Sequence, residues 1–441
     1  MPLTPDQEGA VNNIFQFLMS DDKEYIISGP AGTGKTYLMK HIMNTVLTEY
    51  EDACTLLGLP HIPYEIALTA TTNKATEVLS QSTGFFAVTI HSFLHLKVTD
   101  NYKTGISEVV PTADWRVYKN TLIFIDEASM IDSKLYSYIH KATDHTCKII
   151  YLGDHCQMAP VFETLSPVYK TPKYFSRLET PMRNASQPAL MSLCSSLRNT
   201  VETLDFFKIQ EVPGVIDYVD DAAAKQFIDS TFKQEHTDAR ILCFTNARVH
   251  EYNQYIRELR NYPQLFIEGE ELISNSAVTV GPLHLRVEQE VYVNEASPQT
   301  SLIQIDPSDP DVLLEVQDIT LLRGVHNIKT VIPVDRGHYK ALLNYYARQK
   351  NWHIYYKLKN GFPDLRQKDA ATVYKAQGST YHTVFLDLEN IGKCNQPDQV
   401  ARMLYVGASR ATDRIVLYGQ LPKRYQEPMG SKTNLASLTA V

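Results

Sequence analysis

The segment Gly29-Pro30-Ala31-Gly32-Thr33-Gly34-Lys35-Thr36 fits the pattern G-x-x-x-x-G-K-[ST]. Its glycines let successive backbone N–H groups close around phosphate oxygens, and the N-terminus of the following helix adds partial positive charge. Lys35 is placed to reach the β- and γ-phosphates, and the Thr36 hydroxyl to ligate Mg²⁺. A glycine-rich turn without a ligand is the plainer reading, but an apolar run before the segment and a helical pattern after it argue against that. Farther on, Leu122-Ile123-Phe124-Ile125 runs into Asp126-Glu127. In a chain with a phosphate loop, an apolar strand ending in two acids reads as a Walker B pair. Asp126 would then position Mg²⁺ through its water shell, and Glu127 would orient or deprotonate an attacking water. The chemistry implied is hydrolysis of ATP.

Two later segments extend this set. Gly153-Asp154-x-x-Gln157 closes the next apolar strand, which puts an amide beside the Walker B acids, able to sense the γ-phosphate. Ala376-Gln377-Gly378-Ser379-Thr380 and Tyr405-Val406-Gly407-Ala408-Ser409-Arg410-Ala411 flank a strand near the other end of the chain. An arginine supplied by a second domain would link hydrolysis to domain closure. Arg410 is the best candidate and Arg183 another, each weighed against an ordinary surface ion pair.

These residues need a scaffold, and the hydrophobic pattern supplies one. Thr4-Pro5-Asp6-Gln7 opens the first helix, with Thr4 as cap and Gln7 at the capping-box position. Tyr25–Ser28, Ile66–Thr69, Leu122–Ile125 and Ile149–Leu152 read as short buried strands of an α/β unit. A second α/β pattern begins near Leu178, has a strand at Ile241–Phe244, and resumes at Ala371 with strands at Val384–Leu388 and Ile415–Tyr418. Between these, strand candidates at Val278–Val280, Val291–Val293, Leu313–Val316 and Thr330–Val334, with no helical pattern among them, suggest a small antiparallel β domain. The expected fold class is α/β, with two P-loop-type cores, an inserted β-hairpin and a small inserted antiparallel, barrel-like β domain. The expected boundaries are 1–96 with 119–178 for the ATP-binding core, 97–118 for the hairpin, 179–260 with 366–441 for the second core, and 261–365 for the β domain.

Composition narrows the class. The 441 residues are 44% hydrophobic and 21% charged, which suits a globular chain of two or three domains. No apolar run is long enough to span a bilayer, so no membrane partner is expected. Six cysteines without a C-x-x-C pair fit a reducing cytoplasm better than a disulfide or zinc framework. A net charge of −8 argues against a protein that coats nucleic acid with a basic face, though not against a motor with one basic channel.

Taken in order, the blocks resemble those of superfamily 1 helicases, in the RecD/Dda-like branch. They are Gln7, GPAGTGKT, TATTNKAT (69–76), TIHSFL (89–94), DEAS (126–129), GDHCQMAPV (153–161), LETPMRN (178–184), FTN (244–246), YKAQGST (374–380) and LYVGASRATDR (404–414). The motif order spans nearly the whole chain. The resemblance implies two RecA-like cores, ATP and Mg²⁺ as cofactors, and 5′→3′ movement on single-stranded DNA with unwinding of duplex at a fork. It assigns Gln7 to adenine, Gln157 to coupling of the γ-phosphate with DNA, and Arg183 and Arg410 to the γ-phosphate. It places Thr71, Thr72, His91, Tyr374 and Ser379 in motifs that touch the DNA strand. Tyr374 stands where the branch commonly has histidine, so stacking is expected there rather than a hydrogen bond. Met182 precedes Arg183 where some relatives have an aromatic ring.

Two other classes were weighed. A superfamily 2 RNA helicase would carry S-A-T and QxxGRxxR-like motifs, where this chain has Gly153-Asp154-x-x-Gln157 and Tyr405–Arg410. A non-motor P-loop ATPase has no reason to repeat an α/β core. The working expectation is an inchworm motor, monomeric, in the cytoplasm (of a host cell if phage-encoded), acting in replication or recombination beside single-strand-binding or replication proteins. The hairpin would split the duplex and the β domain would stiffen the pair of cores. Tyr102 is the preferred wedge residue, since Trp115, the other ring in the stretch, is the one expected to bury.

Overall fold

A computed structural model of the chain describes residues 2–160, 163–170, 174–180, 187–234, 237–280, 283–324 and 326–426. Along the first core come β1 (Glu24–Ser28), β2 (Glu65–Ala70), β3 (Ala87–Thr89), the pair β4 (Leu96–Asp100) and β5 (Ser107–Pro111), then β6 (Thr121–Asp126), β7 (Lys148–Gly153) and β8 (Phe175–Arg177). All but β4 and β5 form one parallel sheet in the order β3-β2-β6-β7-β1-β8. The strands read as unbroken apolar runs because helices cover both faces of the sheet. Tyr25, Ile27, Leu122, Phe124, Ile150 and Leu152 pack to one side, and Ile26, Ile123, Ile125, Ile149 and Tyr151 to the other. Each such side chain contributes about 1.5–3 kcal/mol by burial. The sheet is therefore a stiff floor for the loops at its C-terminal edge.

The second core repeats the plan. Its strands β9 (Ile216–Val219) and β10 (Ala239–Cys243) precede the insertion. The insertion holds β11 (Glu271–Ser274), β12 (Val278–Val280), β13 (Leu283–Leu285), β14 (Glu290–Asp306), β15 (Asp309–Arg323), β16 (His326–Pro333) and β17 (Leu365–Gln367). The core then resumes with β18 (Ala370–Thr372), β19 (Tyr381–Asp387) and β20 (Ala411–Tyr418), in a parallel sheet ordered β18-β10-β19-β20-β9.

The insertion corrects the sequence reading in three respects. The short strand candidates at Val291–Val293, Leu313–Val316 and Thr330–Val334 are fragments of a long antiparallel meander, with β14 running 17 residues and β15 running 15. Register shifts between Val293/Glu295, Ala296/Thr300 and Gln304/Asp306 interrupt its alternation, which is why only pieces showed the strand pattern. Helices Arg336–Arg348 and Trp352–Gly361 follow it, where no helical pattern was seen. They cap the far end of the sheet around Ile305, Leu314, Val316 and Leu358, and of the first helix only Tyr346 is fully buried, so its apolar stripe is thin. Finally, the described strands pair in the order β16-β15-β14-β11-β17, with no pairing among them that closes a barrel, and the sheet takes in Leu365–Gln367.

Candidate active site

The phosphate loop hangs between β1 and the helix Lys35–His41. The Gly29 N–H donates to the Gly153 carbonyl at 3.0 Å, which pins the loop to the end of β7. A Cβ on Gly29 would lie 2.6 Å from the Leu178 carbonyl oxygen, and Gly34 has φ +77°, so neither position accepts a side chain cheaply. Lys35 Nζ donates to the carbonyls of Gly29 and Pro30 at 2.7 and 2.9 Å. Burial lowers the Lys35 pKa, while Asp154, Asp126 and Glu127 pull it upward. Gln7 is fully buried beneath the loop and serves two purposes at once. Its Oε1 accepts from the Thr4 N–H at 3.1 Å, completing the capping box, and its Nε2 donates to the Thr33 carbonyl at 3.0 Å.

Asp126 and Glu127 leave the end of β6 in different conformations. The Glu127 N–H donates to Asp126 Oδ1 at 2.9 Å, and Glu127 itself sits in the left-handed region at φ +56°. A non-glycine residue held there is uncommon, and the turn swings its carboxylate out of line with the strand. Burial pushes the Glu127 pKa up to about 7, helped by the neighbouring Asp126 and opposed by Arg410 and Lys35. Burial likewise raises that of Asp126, against the pull of Lys35. Two half-buried carboxylates sharing one ammonium are short of positive charge, and with the hydroxyl of Thr36, next to Lys35, they are a donor set suited to a hard divalent cation such as Mg²⁺.

The second core reaches this site from above. Arg410, 4% exposed, precedes β20, and its guanidinium is held by the carbonyls of Val406 and Ser379 and by Ser409 Oγ. It lies near enough to Glu127 to draw that pKa down. Gln157 Oε1 accepts from Gln377 Nε2 of the second core at 3.5 Å. Asp154, fully buried, takes Tyr405 OH at 2.6 Å, Arg198 NH2 at 3.3 Å and its own loop's Cys156 N–H at 3.1 Å. Burial alone would raise its pKa, but Arg198, His155, Lys35 and the Tyr405 hydrogen bond bring it down to about 2. Arg402 donates to the carbonyls of His155, Gln157 and Thr164. Between the cores lies a cleft of about 840 Å³, lined by Pro30, Ala31 and Gly32 on one side and by Arg198, Tyr405 and Ser409 on the other. The ligand atoms of Asp154, His155 and Cys156 lie within 4.8 Å of one another. His155 is engaged by Ser28 and Glu202, and Asp154 as above, so this cluster is a structural knot and not a metal site.

Comparison with known proteins agrees with this geometry. Residues 2–207 match the AAA domain family and residues 369–418 the UvrD-like helicase C-terminal domain. The chain is 25% identical over 444 residues to the ATP-dependent DNA helicase dda of Enterobacteria phage T4, covering 92% of this chain and 97% of that one. An uncharacterised protein of Acanthamoeba polyphaga mimivirus is 24% identical over 495 residues, covering 93% and 98%. Among solved structures, a Pif1 helicase described in DNA unwinding at forked double-stranded DNA by two coordinating copies has a TM-score of 0.51 at 14% identity, covering 97% of this chain and 95% of that one. The Pif1 helicase from Bacteroides in complex with ADP-AlF3 and single-stranded DNA has 0.50 at 15%, with the same coverage. The chain is an ATP-dependent DNA helicase similar to dda, with the fold of the Pif1 structures.

The helicase brings most of the sequence-chosen residues to two places. Pro30, Ala31 and Gly32 line the cleft itself, Lys35, Asp126, Glu127 and Arg410 act on one another electrostatically beside it, Gln7 is buried against Thr33 and Gln157 meets Gln377, while Arg183 lies outside the described residues. Thr71 and Thr72 follow β2. Thr71 Oγ1 donates to the Glu127 carbonyl at 3.2 Å, which ties that turn to the Walker B acids, and Thr72 caps the Asn73–Thr83 helix by accepting from the Ala75 N–H. His91 lies on the short helix Ile90–Phe93, half-buried, and burial lowers its pKa. Tyr374 donates its hydroxyl to Gln399 at 2.6 Å, which leaves its ring face rather than its oxygen for a ligand. The Ser379 carbonyl holds Arg410. Gln377 and Tyr405 stood in the quoted motifs without a role, and Arg198 and Arg402 were not singled out from sequence, although an arginine within Val400–Val406 is a buried charge that demands partners.

The hairpin β4–β5 does not stand free. Its Asp100 accepts from Asn360 Nδ2 at 2.8 Å, and its Ser107 Oγ accepts from Lys359 Nζ at 3.2 Å, both from the Trp352–Gly361 helix of the insertion. The Tyr102 ring lies 5.0 Å from Tyr356 and 6.2 Å from His353, yet remains 55% exposed. Trp115 packs edge-on against Tyr138 in the core.

Proposed function

We propose that the chain couples ATP hydrolysis in the inter-core cleft to 5′→3′ movement along single-stranded DNA, and that its hairpin splits the duplex at a fork. It is an ATP-dependent DNA helicase, and the finer reading concerns how its residues divide the work. The observation that carries it is the cross-core meeting of Arg410 with Glu127. Neither core holds a complete hydrolytic site, so turnover requires closure.

In this reading the phosphate loop and Lys35 hold the β- and γ-phosphates, and Gln7 borders the adenine. Thr36 and Asp126 would hold Mg²⁺, which would supply neutralising charge at the phosphate oxygens. Glu127 takes a proton from the attacking water; its raised pKa makes it a stronger base than a surface glutamate. Arg410, with Arg183 as a second candidate, offsets the charge developing on the γ-phosphoryl group. Gln157, tied to Gln377, reports the state of the phosphate to the second core. Thr71, Thr72 and His91 of the first core, with Tyr374 and Ser379 of the second, grip the strand. Closure shifts one grip toward the other, and reopening after hydrolysis releases it.

The bracing of the hairpin by the insertion supports a wedge role, with Tyr102 at the tip, because a splitting element must resist the force it applies. A single chain contains every part named, which favours a monomer. Among the described residues no helix is long and apolar enough to cross a membrane. The cytoplasm, a host's if the chain is phage-encoded, is the compartment proposed, with single-strand-binding or replication proteins as company. Polarity is tested with partial duplexes: one with a 5′ single-stranded tail is unwound with ATP and one with a 3′ tail is not. The opposite preference overturns the direction.

A further inference from the structure

The Pro188–Thr203 helix of the second core turns Arg198 toward the inter-core cleft. Only 8% of the residue is exposed. NH2 donates to Asp154 Oδ1 at 3.3 Å and NH1 to Glu202 Oε1 at 3.1 Å. Its Nε–H, buried, has no hydrogen-bond partner among the described residues. A buried donor left unmet is unfavourable, and an oxygen brought to it by closure of the cleft would relieve that. Arg177, the other cation lining the same cleft, differs: it is 41% exposed, with Nε on Glu179 at 2.9 Å and NH2 on Glu202 at 3.2 Å.

The placement is also electrostatically directed. Pro30, Ala31 and Gly32 of the phosphate loop form the facing wall, and Arg198 is close enough to Lys35 to oppose its charge. Cations from the two cores thus lie within electrostatic reach of each other, and Asp154 acts on both. Such an arrangement favours an entering polyanion, and a guanidinium suits phosphate because its donors form a planar fork.

We propose that Arg198 is a further nucleotide-binding residue, which takes the terminal phosphate of ATP from the second core through its Nε edge while its NH edge stays on Asp154. It is distinct from Arg410, which faces Glu127. The inference rests on the cleft being the ATP site. Its consequence is discrimination: ADP lacks the group that Arg198 meets, so the residue matters to ATP and not to ADP.

The test displaces a fluorescent nucleotide from the full chain, with Mg²⁺ and without DNA, using either a non-hydrolysable ATP analogue or ADP. In Arg198→Gln the analogue's affinity falls about tenfold or more while that of ADP stays within about twofold. Arg198→Lys keeps a charge beside Asp154 but loses the fork, and shows the same selective loss, so it decides the matter if the glutamine variant does not fold. Tyr405→Phe removes the other side-chain donor from Asp154 and is expected to move both affinities by the same factor. Equal losses for analogue and ADP in the Arg198 variants, no loss, or the same selectivity in Tyr405→Phe would each overturn the proposal. Lys35→Ala separates the two levels: if it binds both nucleotides as the wild type does, the ATP-site assignment itself is wrong, whatever Arg198 does.

Discussion

Gly105, at the turn of the hairpin, is the point where a small change should disconnect the wedge from its brace. It has φ +73°, and a Cβ built on it falls 2.4–2.5 Å from ring atoms of Trp352. In Gly105→Ala the left-handed backbone costs about 1 kcal/mol, but that strain is present whether or not the hairpin is docked. Only the clash acts on docking, and overpacking of this kind costs roughly 1–3 kcal/mol. Opposing it are the Asn360–Asp100 and Lys359–Ser107 hydrogen bonds, both exposed, and the Tyr102–Tyr356 ring contact. Bonds and contacts of this type hold the tip by about 2–3 kcal/mol in all. Perturbation and brace are therefore of similar size, and the ratio of docked to undocked hairpin falls by about 5- to 150-fold. The assay is single-turnover unwinding of a 5′-tailed partial duplex, run beside ATPase stimulated by single-stranded DNA. Unwinding should drop several-fold with ATPase unchanged, and Trp352→Ala added to Gly105→Ala should restore part of it by removing the clash. Unwinding and ATPase falling together, or unwinding untouched, would refute the wedge argument.

Two further outcomes follow from the cleft. Glu127→Gln keeps the shape of the base and loses its proton affinity, so ATP and DNA still bind while turnover falls by about 10²–10⁴; near-normal turnover would assign the base to another acid. Asp154, held at about 2 in the fold against an ordinary value of 3.8, contributes stability that is fully present above pH 3.8 and is lost as pH falls through about 2. That contribution is roughly 2 kcal/mol, so urea denaturation should show stability declining over this window and Asp154→Asn should flatten the decline; an unchanged slope would mean that other carboxylates carry it.

What could be read from the sequence was local. Gly29 to Thr36 and Asp126-Glu127 announce themselves because a phosphate loop needs glycines at fixed spacing and a Walker B strand must be apolar up to its acids. Seven of the eleven strands in the two parallel sheets were legible, since burial on both faces leaves an unbroken apolar run, whereas β3, β8, β9 and β18, only three or four residues long, gave none. The helices Arg336–Arg348 and Trp352–Gly361 were missed because they lie on the outer end of a sheet and bury little. Their caps were nevertheless legible: Asp335 accepts from the N–H groups of Gly337 and His338, and Asn351 from that of Ile354. The cross-core partners were illegible for another reason. Whether Arg198 or Tyr405 faces its own core or a neighbouring one depends on how two domains meet, and no spacing within one helix encodes that.

That meeting fixes how Gln157 must behave. Its loop leaves the first core at Gly153, whose carbonyl holds the phosphate loop at Gly29. Three residues on, Cys156 enters a hydrophobic cluster made by the second core, and Met158 follows it, both completely buried beside Leu190, Leu193, Leu386 and Leu404. Arg402 fastens the same loop through three of its carbonyls. Pulling the loop away from the second core would expose two apolar side chains, at about 1.5–3 kcal/mol for the methionine alone, and would strand the carbonyl acceptors and a buried guanidinium. If the cores open and close as proposed, these contacts would hold the loop to the second core, although His155 also ties it to Ser28 of the first. Gln157 would then move with the second core through Gln377, and the Gly29–Gly153 hydrogen bond would join the base of its loop to the phosphate loop.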